Sequence, residues 1–302
     1  MRDKTGYKGV IVAAVTPFTL DDRPDLNNLQ LLIQTLYREG VDGILLLGTT
    51  GEGVSLSFEE QEAVIEAGME VSRDMIMMVG SGCASLPDTI RLTRRAFELG
   101  ADAVVTVPPF YFKKFTNTGL FEYFRRVIDE AVPEGKHLFL YDIPQTTAIP
   151  IQYELVSRLL EYSESRLGGI KDSTGDLAHA TEWCQKFPQL RIFVGTDKLL
   201  LPGMQAGAAG CITAGANLCA KLAVEVYRTY HQGRDASAIQ TQLTAARTAL
   251  EKYLPFPATL KSILAMRYGT PGWNVRPPLI PLTEEQRSDV VEALKACDSF
   301  VV

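Results

Sequence analysis

One stretch carries a residue able to do covalent chemistry where chemistry is least expected: Arg166-Leu167-Gly168-Gly169-Ile170-Lys171-Asp172-Ser173-Thr174-Gly175-Asp176. It reads as a short buried strand with a lysine at its C-terminal end, then a polar turn and a helix opened by Asp176. A buried ammonium loses hydration worth several kcal/mol unless it is paired or gives up its proton. Lys171 therefore calls for one of two explanations. It is ion-paired to an acid on a neighbouring strand, or its pKa is lowered by desolvation so that it attacks a carbonyl and forms a Schiff base.

The elements around it repeat one pattern. Val10 to Val15 is an apolar run closed by Thr16-Pro17, followed by a helix capped by Asp25 and stopped by Gly40. Val41 to Leu47 is a second strand, ending in Gly48-Thr49-Thr50-Gly51-Glu52-Gly53, and Ser57 with Glu60 forms a capping box for the next helix. Strands follow at Met75 to Gly80, Ala101 to Val107, His137 to Tyr141, Leu167 to Lys171, Arg191 to Val194 and Gly210 to Thr213. Helices separate them at Ser85 to Leu99, Thr118 to Ala131, Ile151 to Leu160, Asp176 to Lys186 and Asp197 to Gln205, and another begins near Asn217. Eight short strands, apolar on both faces and alternating with helices, predict an α/β fold, a closed parallel (β/α)8 TIM barrel. An open doubly wound sheet is the rival, but it usually has fewer units. The rest of the chain reads as helices at Lys221 to Tyr230, Asp235 to Tyr253, Ala258 to Arg267 and Glu284 to Ala296. The expected organisation is a barrel over 1–219 and a C-terminal helical region over 220–302, joined without a low-complexity linker. Pro271 to Pro278 reads as an ordered connector.

Composition narrows the partners. The 302 residues are 46% hydrophobic and 22% charged, with a net charge of -6 and no basic block. That balance argues against nucleic acid and anionic membrane and leaves small metabolites. Cys83, Cys184, Cys211, Cys219 and Cys297 are odd in number and lack ligand spacing, as expected of reduced thiols in a cytoplasmic protein. Met1 to Lys8 is polar and the apolar run after it is short, so no secretory leader and no membrane span are expected.

In such a barrel the site lies at the C-terminal ends of the strands. Those ends carry Thr16, Thr49, Thr50, Glu52, Ser81, Cys83, Tyr111, Tyr141, Asp142, Lys171, Ser173, Gly195, Asp197 and Thr213, and Lys171 is the lysine among them. His137, His179 and His231 fall elsewhere, which argues against a histidine-dependent triad or a histidine metal site. Glu52, Asp142 and Asp197 form no dense acidic cluster in sequence. The Gly48 to Gly53 turn lacks the spacing and lysine of a phosphate loop. Its N–H groups and two hydroxyls suit a nest for a carboxylate, although a glycine turn after a strand is also common. Tyr141 and Tyr111 are either rim aromatics or phenols within reach of a proton in transfer.

Taken together, Gly48-Thr49-Thr50-Gly51-Glu52, Tyr141-Asp142-Ile143-Pro144 and Gly169-Ile170-Lys171-Asp172 make the chain resemble the family of pyruvate-dependent class I aldolases and lyases. That family contains dihydrodipicolinate synthase, N-acetylneuraminate lyase and 2-keto-3-deoxygluconate aldolase. The resemblance runs from about Gly9 to the last helix. It implies a homotetramer of two tight dimers, no metal or organic cofactor, and pyruvate with an aldehyde or 2-keto-3-deoxy acid as reactants. Residue by residue, it implies Lys171 as the Schiff-base lysine and Tyr141 as the proton relay. Thr49 joins that relay and, with Thr50 and Gly51, forms the carboxylate turn; Tyr111 reaches a neighbouring subunit's site. Gly195 leaves room for substrate, Ile212 packs beside the pyruvyl group, and Ser173 and Thr146 meet the rest of the substrate. Synthases usually carry an arginine two residues beyond the proline of the tyrosine motif, where Thr146 stands here, which removes a bidentate clamp for an acidic substrate. Aspartate replaces the more usual asparagine at Asp142. Lys171-Asp172-Ser173 looks like aldolases of 2-keto-3-deoxy sugar acids. The expected activity is reversible cleavage of such an acid to pyruvate and a hydroxyaldehyde. The alternatives are dihydrodipicolinate synthesis from pyruvate and aspartate semialdehyde, N-acetylneuraminate cleavage, keto-acid dehydration, and a non-catalytic keto-acid-binding barrel.

Overall fold

A computed structural model describes residues 6–163, 165–270 and 273–295. Eight parallel strands close into a barrel in sequence order: β1 (Gly9–Ala13), β2 (Gly43–Leu46), β3 (Ile76–Gly80), β4 (Ala103–Thr106), β5 (His137–Asp142), β6 (Leu167–Asp172), β7 (Arg191–Val194) and β8 (Gly210–Thr213). The helices between them are α1 (Leu26–Glu39), α2 (Phe58–Glu70), α3 (Leu86–Glu98), α4 (Asn117–Ala131), α5 (Pro144–Thr147), α6 (Tyr153–Tyr162), α7 (Leu177–Lys186) and α8 (Leu200–Gln205). Beyond β8 come α9 (Ala216–His231), α10 (Ser237–Leu250), α11 (Phe256–Tyr268) and α12 (Glu284–Lys295).

Two apolar layers result from the two-residue period of the strands. Phe139, Tyr141, Phe193 and Ile212 point inward and fill the barrel with Ile11, Leu45 and Met78. Leu138, Leu140, Ile170 and Ile192 point outward against the helices. Each helix answers with one stripe, as in α1, where Leu29, Leu32, Ile33 and Leu36 are buried. Full burial of such a side chain stabilises by about 1.5–3 kcal/mol, so the interface between sheet and helices dominates the fold's stability. The alternation also dictates chemistry. Tyr141 pairs with Lys171 across β5 and β6 and both face the barrel axis, whereas Asp142 and Asp172, paired one step on, face the helices.

The capping predictions hold at three helices. Asp25 accepts the Asn28 N–H, Ser57 and Glu60 form the reciprocal box, and Asp176 accepts the Ala178 N–H. Other boundaries move. The chain after β5 forms the extra turn α5, with Pro144 at its start, before α6 begins at Tyr153 rather than near Ile151. The helices expected near Asn217 and from Lys221 follow one another within α9 and meet at a kink at Cys219, whose backbone is non-helical (φ −112, ψ 27). The Asn217 side chain fixes its start, donating to the Ala13 and Ala214 carbonyls and accepting the Val15 N–H. α10 stops at Leu250, before the turn that leads to Pro255. Among the cysteines, Cys83, Cys184 and Cys211 are free thiols. Cys297, Ala296 at the end of the last expected helix, and the start of the connector at Pro271 lie outside the described residues. No helix among the described residues is long and apolar enough to cross a membrane.

Candidate active site

A cavity of about 640 Å³ opens at the C-terminal ends of the strands, lined by Thr49, Thr50, Tyr141, Thr146, Lys171, Ser173, Gly195 and Ile212 among others. These eight come from five strands' ends and the loops after them, and the closure of the barrel is what brings them to one place. Lys171 is 3% exposed and its Nζ lies 3.9 Å from the centroid of the Tyr141 ring. Burial pushes the Tyr141 phenol up. The charge of Lys171 and hydrogen bonds from Lys171, Thr49 and Ser173 more than offset it, and the net shift is below the ordinary phenol value. A phenol so held is poised to give and take a proton beside the amine.

Gly195 is required by space: a Cβ there would stand 2.0 Å from Ser173 Oγ and 2.8 Å from its Cα. Ile212, fully buried on β8, forms part of the apolar floor. Thr146 lies exposed on α5 at the cavity rim, where Gln145 donates to the Ser173 carbonyl. Two of the expected residues do not line the cavity of their own chain. Gly51 sits behind Thr50, with its carbonyl bonded to the Thr16 hydroxyl at 2.7 Å, and its part is to let the turn pass close to β1. Tyr111 is 74% exposed and packs edge-on against Phe112, which is 73% exposed.

The acids at the strand ends are each committed elsewhere. Glu52 pairs with Lys261, Asp142 accepts the Ile151 N–H, and Asp197 binds Arg247 and the Thr213 hydroxyl. Among the described residues no group of three metal-ligating side chains gathers. His137 bonds the Tyr7 hydroxyl and His231 packs at a tilt against Tyr227. His179, on α7, joins a charge cluster. It reaches Asp172 at 3.0 Å and Asp142 at 3.8 Å on the outer side of the strand pair that carries Lys171 and Tyr141.

The remainder of the lining escaped sequence reasoning. Arg247 and Glu251, at the end of α10, join Lys198 and the loop Leu254 to Pro257 to form one wall. Arg247 gives Nε to Glu251 and NH1 to Asp197, and Lys198 pairs with Glu251. Nothing local in the sequence marks these residues as belonging to the site, because the helix that carries them lies far along the chain from the strands it covers.

A parallel eightfold barrel with an amine, a phenol and the hydroxyls of Thr49, Thr50, Thr146 and Ser173 around one cavity suits an enzyme that works through carbonyl chemistry. The comparisons assign it further. The family model described as the Dihydrodipicolinate synthetase family matches residues 6–297. The chain is 40% identical over 290 residues to a DapA-like lyase of Chloroflexus aurantiacus, covering 96% of this chain and 95% of that protein. It is 32% identical over 285 residues to the 4-hydroxy-tetrahydrodipicolinate synthase of Bacillus subtilis, covering 93% and 96%. Among solved structures, YagE of Escherichia coli K12, a prophage protein of the dihydrodipicolinic acid synthase family in complex with pyruvate, superposes with a TM-score of 0.91. It is 27% identical and the match covers 97% of this chain and 99% of that one. The chain belongs to the dihydrodipicolinate synthetase family and is a carbon–carbon lyase of it.

Proposed function

We propose that the protein reversibly cleaves a 2-keto-3-deoxy sugar acid into pyruvate and a hydroxyaldehyde, with Lys171 as the nucleophile. The observation that carries this reading is the Lys171–Tyr141 pair, adjacent in register and both facing a cavity whose lining includes Gln145, Thr146, Thr174 and Thr196. Lys171 Nζ adds to the C2 carbonyl and water leaves, giving a protonated imine. The Tyr141 oxygen takes the proton of the C4 hydroxyl, with Thr49 sharing the relay. The C3–C4 bond then breaks, its electron pair moves into the imine, and the aldehyde departs. Protonation of C3 and attack of water on the imine release pyruvate and restore the amine. Thr49, Thr50 and the Gly51 turn hold the carboxylate, Gly195 and Ile212 shape the space beside the pyruvyl group, and Ser173 and Thr146 meet the hydroxylated tail.

Substrate class rests on charge. Thr146 supplies no cation from the tyrosine loop, and Arg247 in the lining is already committed to Asp197 and Glu251. A neutral polyol tail suits Gln145, Thr146, Thr174 and Thr196 better than a second carboxylate does. The second reading, condensation of pyruvate with aspartate semialdehyde, is favoured by relatives such as the Bacillus subtilis synthase. Tyr111, with Phe112 beside it, is assigned to a subunit interface of a homotetramer, from which it enters a neighbour's site.

Incubation with pyruvate, reduction with borohydride and mass measurement should give one adduct per chain at Lys171; an unmodified Lys171 would refute the mechanism. Turnover of 2-keto-3-deoxy aldonates should exceed both sialic acid cleavage and consumption of aspartate semialdehyde with pyruvate. A preference for the semialdehyde would transfer the assignment to the synthase reading.

A further inference from the structure

The chain buries a second lysine that the reaction does not use. Lys261, on α11, is fully buried, and its Nζ lies 2.5 Å from Glu52 Oε1 and donates to the Asn274 carbonyl at 2.8 Å. The aromatic face of Phe18 covers it at 3.6 Å. Glu52, 2% exposed, directly follows the Thr49-Thr50-Gly51 turn and holds a left-handed backbone (φ 53, ψ 32), a conformation costly for a residue with a side chain. Its second oxygen accepts the Arg276 N–H at 3.2 Å. Arg276 in turn donates to the Ser55 and Asp22 carbonyls and pairs with Glu60. Glu52, behind the turn, is thus tied by the Lys261 ammonium and the Arg276 backbone N–H, both more than 200 positions along the chain.

We infer that Lys261 and Arg276 are positioning residues: through Glu52 they hold the 48–53 turn in the shape that receives the keto acid's carboxylate. This rests on the functional reading above for the ligand, but not for the clamp itself. A buried carboxylate whose cation is removed must move, take a proton or admit water. Because Glu52 is continuous with the turn, any of these displaces the Thr49 and Thr50 N–H and hydroxyl groups. Misplacement of a binding group on the ångström scale carries large losses in binding and rate. The clamp explains why a helix outside the barrel carries a charge into its interior.

Two readouts separate the clamp from the reading it serves. Lys261→Met alone leaves Glu52 unpaired and endangers folding, so the deciding variant is Glu52→Gln/Lys261→Met, which keeps the shape and discharges both groups. In that variant the backbone amides of residues 49–53 should exchange with deuterium about tenfold faster than in the wild type. The pyruvate concentration giving half-maximal borohydride adduct should rise by about tenfold or more. Exchange and half-saturation within about twofold of wild type would overturn the inference.

The wild-type chain provides a version without substitution. Burial lowers the Lys261 pKa to about 8 against the pull of Glu52; Arg276 lowers it and Asp22 raises it. Raising the pH from 7 to 9.5 should therefore loosen residues 49–53, after correction for intrinsic exchange, and a flat profile would count against the clamp. If wild-type protein forms no pyruvate adduct, the functional reading falls, and deuterium exchange still judges the clamp.

Discussion

Lys171 and Lys261 face the same physical problem and resolve it differently. Lys261 has a carboxylate at 2.5 Å and a carbonyl at 2.8 Å, so its charge is neutralised inside the protein. Lys171 has a phenol ring and hydroxyls as neighbours and open space in front of it. That difference makes the first a strut and the second a candidate nucleophile. Tyr141→Phe should lower kcat by about 10²–10⁴-fold, the range for loss of a proton-transfer group, while the borohydride adduct still forms at Lys171; unchanged kcat would remove Tyr141 from the relay. Gly195→Ala tests the space argument. Its Cβ would meet Ser173 at 2.0 Å, so the β6–β7 loops must part. Turnover should fall at least about tenfold and the melting temperature should drop, because overpacking costs about 1–3 kcal/mol; wild-type values for both would contradict the geometry.

At the scale of elements, the β5–β6 pair carries the chemistry on one face and a charge cluster on the other. Asp142 and Asp172 are register partners, and His179 from α7 stands between them. Among the described residues Asp142 Oδ2 has no hydrogen-bond partner, and Oδ1 accepts the Ile151 N–H at 3.2 Å. Burial first, with Asp172 nearby, pushes the Asp142 carboxyl up to about 6, partly opposed by the Ile151 bond and His179. A carboxyl raised above its unfolded value stabilises the folded state below about pH 4, and that contribution is lost as pH rises through about 6. Asp142→Asn keeps the acceptor for Ile151 and removes the ionisation. It should stabilise the protein at pH 8 by on the order of 1–3 kcal/mol and by much less at pH 4.5, measured as the shift in urea midpoint. An equal effect at both values would show that the aspartate ionises without cost.

The whole molecule is a barrel closed on one side of its mouth by helices from its own C-terminal segment. Arg247 and Glu251 on α10, Lys261 on α11 and Arg276 beyond it all reach the cavity or the turn behind it. The extension thus borders the cavity, and α9, kinked at Cys219, joins it to the barrel. Elsewhere on the surface Tyr111 and Phe112 stand exposed side by side, as an interface would need. Tyr111→Asp/Phe112→Asp should shift the sedimentation coefficient to that of a smaller species and reduce kcat together with it. Loss of neither would return Tyr111 to the status of a rim aromatic.

The barrel was legible because its signal is local and repeated: eight apolar runs, caps such as Asp25, Ser57 and Asp176, and glycines at helix ends. Lys171, Tyr141 and Thr49 were legible because each stands at a strand end and barrel geometry sends those ends to one face. Short-range signals also misled at the margins. No helix was expected over Pro144–Thr147, where α5 forms, and α6 starts at Tyr153 rather than near Ile151. Composition and periodicity alone determined the fold class, the chemistry-bearing strand ends and the absence of a histidine among them. Only the tertiary structure decided which buried lysine meets a carboxylate and which a phenol. It also brought α10 to the cavity and placed Asp142 with Asp172 and His179. Pairing across more than a hundred residues depends on closure of the barrel and docking of the helices, and no sequence window contains both partners.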